Sequence, residues 1–491
     1  MAKHGVDYTK GSIFAHISTL SITSAIGLLA LFSVDLVDVF FISLLGQAEL
    51  AAAVGFAGTA LFFGAAICIG LAIATSTVVA QAVGASNKQQ NKTDETAANT
   101  GQADGEIPET ARLATHGLLF GLILTVPLAI ITTVYARELI GLMGAEGKTL
   151  DLAVNYFRIV GLSLPVLGIA MSGTSLLRAV GEAKLSMWST IIAGLVNAIL
   201  DPILIFGFSL DLTGAAIASV ISRFTVAGVA IYFIASRYNL VRRPRKTRFV
   251  GDVRQLCTIA LPSLITNLAG PFGAAYATTQ MAKFGTDSVA AAALIGRITP
   301  VAFAGLYGLS GAVGPVASQN VGAEHWSRVR QTLLASGFFV TIYVIPVALI
   351  IYLSRNLLIS VFALDAAAAD ILRFYCTWIV ITYWLFGLQL AANPLFTSLR
   401  HPGYATISNI GRDLCLGIPL VFAGSRLFGA PGVLAGQALG NMLAGLVAFS
   451  VALWLCKRVE NGKTIDLPIR ALTQRWHFHR AVVPGVQHRG H

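Results

Sequence analysis

Two aspartates lie inside stretches of the sequence that are apolar and long enough to cross a lipid bilayer. Asp38 belongs to the run 28–46, and Asp201 belongs to the run 191–208, four residues after Asn197. A carboxylate at membrane depth costs about 2.5–3.5 kcal/mol on insertion scales, so it needs a proton, an ion, water or a partner side chain. These residues therefore indicate a site that binds and releases a small cation.

The spacing of the polar residues supports this interpretation. Asn197 and Asp201 are four residues apart and share one face of a helix, while Asp35 precedes Asp38 by three residues. Two carboxylates close together in a low dielectric favour protonation of one of them. A protonated pair is cheap to bury, whereas an ionised pair attracts Na⁺ or a cationic ligand, which is the minimal chemistry of an antiporter. Asp35 is either a second titrating group or a hydrated carboxylate.

Helices embedded in a membrane must position these residues. The chain has 491 residues, of which 55% are hydrophobic and only 12% charged, with a mean hydropathy of +0.74. Soluble domains carry about 25% charged residues, so the composition predicts an all-α integral membrane protein. No pattern of a cleavable signal peptide is present. Apolar runs separated by Gly, Pro and charged clusters predict about twelve transmembrane helices, at 13–44, 50–83, 113–136, 150–175, 186–208, 213–236, 255–283, 288–320, 329–354, 367–397, 405–427 and 432–456.

The distribution of charge predicts the orientation. The net charge is +11, and its basic residues cluster in 237–248 and in the tail after 457. Short basic loops mark the cytoplasmic side, so we expect both termini in the cytoplasm and the chain in the plasma membrane.

No aromatic-interleaved basic motif points to nucleic acid. The polar segment 89–109 predicts a disordered cytoplasmic loop, and the five scattered cysteines predict neither disulfides nor a metal site.

The chain contains an internal repeat. The block 44–56 recurs at 283–295, 78–86 recurs at 316–324, and 175–183 recurs at 397–405, in the same order. Because each half contains an even number of helices, the halves run the same way through the membrane, a plan typical of transporters. We predict an N-terminal six-helix lobe at 1–240, a basic linker at 241–252, a C-terminal lobe at 253–457 and a basic tail at 458–491.

The repeat also shows that the intramembrane acids belong mainly to the first lobe. Asp38 corresponds to Ala277, and Asp201 corresponds to about Ile418. A purely structural role predicts acids in both lobes. The asymmetry therefore predicts a functional site in the N-terminal lobe.

Candidates outside this pair are less specific. Asp413 follows Arg412 and forms either a structural ion pair or a contact with a ligand in the C-terminal lobe. Phe62, Phe63 and Phe303 are candidates for lining an apolar substrate cavity.

These blocks resemble the multidrug and toxic compound extrusion (MATE) transporters over nearly the whole of 12–456. The segment LVDVFFISLLGQAELAA at 36–52 is similar to the family signature at the first-helix aspartate, and 175–219 is similar to its fourth to sixth helices. The resemblance implies two six-helix lobes in a V shape. It also implies export of amphipathic, often cationic drugs in exchange for H⁺ or Na⁺.

The resemblance implies roles for particular residues. Asp38 matches the first-helix protonation residue of the branch similar to the DNA-damage-inducible proteins, and Asn197 and Asp201 match its fifth-helix pair. Tyr156 is similar to the tyrosine that completes the network, and Ser219 keeps the hydroxyl of the usual threonine.

One departure concerns the proline that family members commonly have in the first helix. By the repeat this position is Thr23, while its counterpart Pro262 is retained. Proton-linked bending of the first helix is therefore in question, whereas proton binding is not.

We predict a secondary active multidrug exporter, not an enzyme, with H⁺ favoured over Na⁺ as the coupling ion and no cofactor or metal. We expect a monomer whose partners are amphipathic or cationic small molecules and the lipid bilayer. The alternative is a lipid-linked oligosaccharide flippase of related architecture, which would need a broad cationic cavity. No metal-protease, nucleophile-elbow or phosphate-loop motif favours a membrane-embedded enzyme.

Overall fold

The computed structural model describes residues 5–44, 48–95, 108–362 and 364–462. These ranges are built of α-helices, with short π-helical segments at Ile203–Gly207, Tyr375–Ile379 and Gly411–Leu416 and a 3-10 turn at Val380–Thr382. The α-helices are α1 (Ile13–Leu44), α2 (Ala48–Glu95), α3 (Glu109–Val134), α4 (Ala136–Leu142), α5 (Gly147–Leu162), α6 (Leu164–Ala179), α7 (Ala183–Pro202), α8 (Asp211–Ser236), α9 (Lys246–Ala282), α10 (Thr286–Ala302), α11 (Ala304–Gly322), α12 (Trp326–Val361), α13 (Ala366–Phe374), α14 (Tyr383–Ser398), α15 (Pro402–Ile410) and α16 (Gly417–Glu460).

The helices of the described residues account for twelve membrane crossings. Within the described ranges, nine stretches are long and apolar enough to span a bilayer, and two bent pairs, α5 with α6 and α10 with α11, raise the number to eleven. The stretch Pro402–Glu460 has 59 residues, about 90 Å of helix, which is far more than one bilayer thickness. It is interrupted at Gly429, whose φ of 65° is not helical, so it crosses twice.

By the repeat, α1–α8 belong to the N-terminal lobe and α9–α16 to the C-terminal lobe. α1 packs against α7 of its own lobe and against α11 of the other lobe, while α2 packs against both α9 and α11. The first two helices therefore form much of the seam between the lobes. α1 is continuous across Thr23, whose hydroxyl bonds back to the carbonyl of Thr19 at 2.8 Å.

Some predicted boundaries differ from the structure. α2 continues to Glu95, so the first residues of the predicted loop 89–109 are helical because the helix extends beyond the apolar run. Residues 96–107 and the tail from 463 lie outside the described ranges. The predicted linker 241–252 is helical from Lys246, where α9 begins. The predicted helix 150–175 is divided by a 49° break between α5 and α6, just before Pro165.

The linker is anchored by a buried ionic cluster at the start of α9. The carboxylate of Asp252 accepts hydrogen bonds from Arg112 Nε at 3.0 Å and from His116 Nδ1 at 2.7 Å. The backbone N–H of Arg245 donates to His116 Nε2 at 3.1 Å, so Nδ1 carries the ring proton. The His116 side chain is fully buried. This cluster joins α3 of the N-terminal lobe to the chain entering the C-terminal lobe.

Replacing Asp252 with Ala is expected to destabilise the protein by about 3–5 kcal/mol, because the guanidinium of Arg112 and the buried imidazole of His116 lose their shared acceptor. The measurement is the thermal midpoint in detergent. The matched control is Asp370→Ala, which removes an exposed carboxylate paired with Arg373 at 3.2 Å and should change the midpoint little. Equal effects of the two substitutions would contradict this role of Asp252.

Candidate functional site

The buried polar pair of the N-terminal lobe lies at the end of α7. Asp201 is 0% exposed and Asn197 is 4% exposed. Asn197 Nδ2 donates to Asp201 Oδ1 at 3.4 Å, so the i,i+4 spacing does bring the two side chains together. Pro202 and a π-helical segment follow immediately, and such segments often occur at functional sites. A carboxylate buried this deeply in a membrane helix requires neutralisation by a proton or another cation.

The packing of α1 against α7 shows how far along α7 the backbone of Asp38 lies. A Cβ on Gly27 of α1 would lie 3.9 Å from Thr190 Cβ of α7, and a Cβ on Gly194 would lie 3.1 Å from Val34 Cγ2. The two helices are therefore parallel at this contact. Continuing that register by one turn brings the backbone of Asp38 to the level of the α7 turn that ends in Asp201. The side chains of Asp35 and Asp38 lie outside the described part of the structure.

The remaining predicted polar residues lie on neighbouring helices of the same lobe. Tyr156 is half-buried on α5 and packs against the apolar cluster that contains Ile205. Ser219 is half-buried on α8, three residues before Ser222, whose hydroxyl donates to the carbonyl of Ala193 on α7 at 2.9 Å. α8 is thereby tied to α7 within three turns of Asp201.

An arginine that the sequence analysis missed also lies within this lobe. Arg223 Nη1 donates to the carbonyl of Val160 at 3.0 Å and to Ser163 Oγ at 2.9 Å. Both acceptors, one backbone carbonyl and one hydroxyl, lie at the break between α5 and α6, where backbone carbonyls lose their helical partners. The signal in the sequence was an arginine inside the apolar run 213–236.

The predicted cavity residues separate into two groups. Phe62 and Phe63 are 40% and 45% exposed on α2, and Phe63 lines an apolar cavity of about 280 Å³ between α2, α3, α4 and α5. Phe303 is fully buried in the C-terminal lobe and stacks on Tyr383 with ring centroids 4.2 Å apart. Phe303 therefore contributes to the core, and we leave it out of the substrate cavity.

In the C-terminal lobe, Asp413 is bound by its neighbour. Arg412 Nε and Nη2 contact the two carboxylate oxygens of Asp413 at 2.7 and 2.8 Å, and both side chains are 13% exposed. Arg412 Nη1 also donates to Gln389 Oε1 at 3.2 Å. Of the two interpretations of Asp413 that the sequence left open, this geometry favours the ion pair.

The lobes meet tightly at one end of the molecule through two glutamines of the repeated block. Gln81 Nε2 donates to the carbonyl of Ser398 in the C-terminal lobe at 2.9 Å. Its counterpart Gln319 donates to the carbonyl of Ala179 in the N-terminal lobe at 2.8 Å. We call this arrangement the glutamine clamp. Because each glutamine reaches the opposite lobe, the clamp follows the symmetry of the repeat.

Two glycines of the same block allow the helices to approach. A Cβ on Gly84 would lie 1.9 Å from the carbonyl oxygen of Gln319, and a Cβ on Gly322 would lie 1.9 Å from that of Gln81. Neither position can hold a side chain while α2 and α11 remain in contact. Lys88 and Glu324 add an ion pair between the lobes at the same end.

The segment before α1 covers this seam. Tyr8 is 2% exposed, its N–H donates to Gln319 Oε1 at 3.0 Å, and its carbonyl accepts from Asn320 at 3.1 Å and from Arg328 at 3.2 Å. The segment therefore adds to the contacts that hold this end closed.

Asp7 lies next to Tyr8 in the same segment. Burial alone would raise the pKa of Asp7, but hydrogen bonds from the hydroxyl and N–H of Thr9 bring it below the ordinary value. The carboxylate is therefore ionised at neutral pH.

This architecture, two repeated six-helix lobes with a buried carboxylate in the membrane-spanning part, is that of a multi-pass membrane transporter. The MatE family model matches residues 24–94, 104–203 and 262–423. The chain therefore belongs to the MATE family of multidrug transporters. The predicted family and the predicted all-α, two-lobe, V-shaped fold are both confirmed.

Individual relatives cover most of the chain. The chain is 26% identical to a protein of Shewanella oneidensis named as an FAD transporter, over 90% of this chain and 94% of the relative. It is 23% identical to the multidrug export protein MepA of Staphylococcus aureus, over 70% of this chain and 75% of the relative. It also matches a solved structure of an outward-facing multidrug resistance MATE transporter with a TM-score of 0.84, at 22% identity, over 94% of this chain and 100% of the other.

Proposed function

We propose that this protein is a secondary active exporter that exchanges amphipathic or cationic small molecules for H⁺, with Na⁺ as the less favoured coupling ion. The observation that carries the proposal is the fully buried Asp201 beside Asn197, level with the backbone of Asp38. A carboxylate in this setting has to exchange its neutralising partner when the site opens to water. Membership of a multidrug transporter family supports export of the substrate as the direction of this exchange.

The proposed roles follow from position. Asp38 and Asp201 bind the coupling ion, while Asn197, Tyr156 and Ser219 supply neutral hydrogen-bonding groups around it, with Asp35 as a further acid on α1. An incoming cation or amphipathic drug competes with the proton for the same carboxylates. Phe62 and Phe63, which are partly exposed on α2, are proposed to contact the apolar part of the substrate.

The proposed setting is the plasma membrane, with the protein acting as a monomer and both termini in the cytoplasm. Arg178, Arg400 and Arg328 all lie at the end of the molecule that carries the glutamine clamp, which fits the preference of basic residues for the cytoplasmic side. In this proposed orientation the clamp closes the cytoplasmic end, which supports an outward-facing conformation.

Transport of a fluorescent lipophilic cation into everted vesicles tests the coupling. We expect uptake when the vesicle interior is made acidic, because protons leaving through the protein drive the cation inward. An imposed Na⁺ gradient with the proton gradient collapsed by a protonophore should drive little uptake. Asp38→Asn should remove the pH-driven uptake; uptake at the wild-type rate in that variant would overturn the proposal.

A second candidate substrate is a flavin nucleotide, which the relative named as an FAD transporter favours. The same vesicles decide between the candidates when FAD and the lipophilic cation are compared at equal concentration. Uptake of FAD without uptake of the cation would show that the substrate is a flavin nucleotide and not a cation. The ion-coupling roles of Asp38 and Asp201 would then be tested with FAD as the substrate.

A further inference from the structure

The carboxylate on the fifth crossing has different neighbours in the two lobes. The repeat that matches 201–207 to 418–424 places Asp413 opposite residue 196, one position before Asn197. Asp413 lies within the π-helical segment Gly411–Leu416, and Asp201 lies just before the segment Ile203–Gly207. Each lobe therefore carries a carboxylate on its fifth crossing, at positions five residues apart in the repeat.

The surroundings of Asp413 are dominated by one cation. Both of its oxygens accept hydrogen bonds from Arg412 in a bidentate arrangement, at 2.7 and 2.8 Å. On the opposite side, α9 presents glycines, and a Cβ on Gly273 would lie 3.2 Å from Asp413 Cβ. In the N-terminal lobe, by contrast, Asp201 receives a hydrogen bond from the uncharged amide of Asn197.

Arg412 is itself held in place. Its third nitrogen donates to Gln389, which is fully buried and donates in turn to Ser408 Oγ at 2.7 Å. The guanidinium also lies over the ring of Phe386, 5.1 Å from its centroid. The titratable groups that interact electrostatically with it from neighbouring helices include Tyr307 and Tyr383. The cation is thus fixed by contacts on three sides.

Physical chemistry then assigns Arg412 a function. A guanidinium remains protonated in proteins, and a bidentate pair with a carboxylate is among the strongest hydrogen-bonded contacts. A proton, Na⁺ or cationic drug at Asp413 must therefore compete with this tethered partner. We propose that Arg412 is an internal counter-cation that occupies the cation site of the C-terminal lobe and so restricts binding of ions and cationic substrates to the N-terminal lobe.

This inference rests on the proposed function, because it explains why only one lobe exchanges cations. It makes Arg412 a residue that determines specificity, although it need not touch the substrate. Its consequence is that neutralising Arg412 exposes a second cation site at Asp413.

Direct binding of tetraphenylphosphonium to purified protein tests the inference without requiring transport. Asp201→Asn should weaken binding at the N-terminal lobe. Adding Arg412→Gln to that variant should restore affinity by at least about ten-fold relative to Asp201→Asn alone. Adding Asp413→Asn as a third substitution should remove the restored binding, while Arg412→Lys should not produce it because the positive charge is kept.

No gain of binding in a monodisperse Asp201→Asn, Arg412→Gln protein would overturn the inference. If that protein does not fold, the neutral pair Arg412→Gln with Asp413→Asn provides the test in the wild-type background. Cation binding within about two-fold of wild type is then expected, because Asp413 contributes no cation site. A larger loss would show that Asp413 is itself a cation ligand and would also overturn the inference. A failure of the proposed function is distinguishable from these outcomes, because the wild-type protein would then neither bind nor transport the cation.

Discussion

Asp201→Asn is expected to lower pH-driven transport by at least about ten-fold while leaving the fold intact. Asparagine has nearly the shape of aspartate, so it can still lie beside Asn197 in the fully buried position. It cannot bind and release a proton, and this removes the exchange on which coupling depends. The measurement is the initial rate of uptake into everted vesicles at a fixed, acidic interior pH, normalised to the amount of protein in the membrane.

The matched control is Asp151→Asn in the same lobe. Asp151 is 62% exposed on its side chain and pairs with Arg137 at 2.7 Å at the surface. Exposed ion pairs contribute little, so this variant should transport at close to the wild-type rate. A normal rate in Asp201→Asn would contradict the role of Asp201 in proton exchange. An equal loss in both variants would show that the loss is not specific to the buried carboxylate.

Gly84→Val is expected to prevent closure of the end of the molecule that carries the glutamine clamp. A side chain at this position collides with the carbonyl of Gln319, which lies only 1.9 Å from where Cβ would be. The lobes must then separate, and the hydrogen bonds of Gln81 and Gln319 to the opposite lobes are lost. Because alternating access requires both ends to close in turn, transport should fall by at least about ten-fold.

Spin labels at Ser86 and Ser327 in a cysteine-free background report the separation directly. Both positions are exposed at the closed end, one on each lobe. Gly84→Val should shift the distance distribution to longer values. Gly58→Val is the control on the same helix, since a Cβ on Gly58 meets no atom within 4 Å. An unchanged distribution in Gly84→Val would show that the helices accommodate the side chain without opening.

Several features of the protein could be predicted from local sequence because they depend on periodicity and composition. Long apolar runs predict the membrane helices, and the recurrence of short blocks predicts two similar lobes. The contact between Asn197 and Asp201 follows from the helical repeat alone, since i,i+4 side chains share a face. Gln81 and Gln319 were present in a recognised repeat block, but the repeat does not say which surfaces of the two lobes face each other.

The sequence by itself therefore determined the membrane class and the duplication, and it placed most of the candidate coupling acids in the first lobe. Only the tertiary structure decided that the clamp joins the lobes, that Arg223 binds the Val160 carbonyl and the Ser163 hydroxyl at the α5–α6 break, that Phe303 belongs to the core, and that Arg412 pairs with Asp413. The physical reason is that hydrogen bonds and close packing between helices depend on how far each helix is rotated and shifted against its neighbour. That rotation is set by the sum of all contacts along the helix, and no single stretch of sequence contains it.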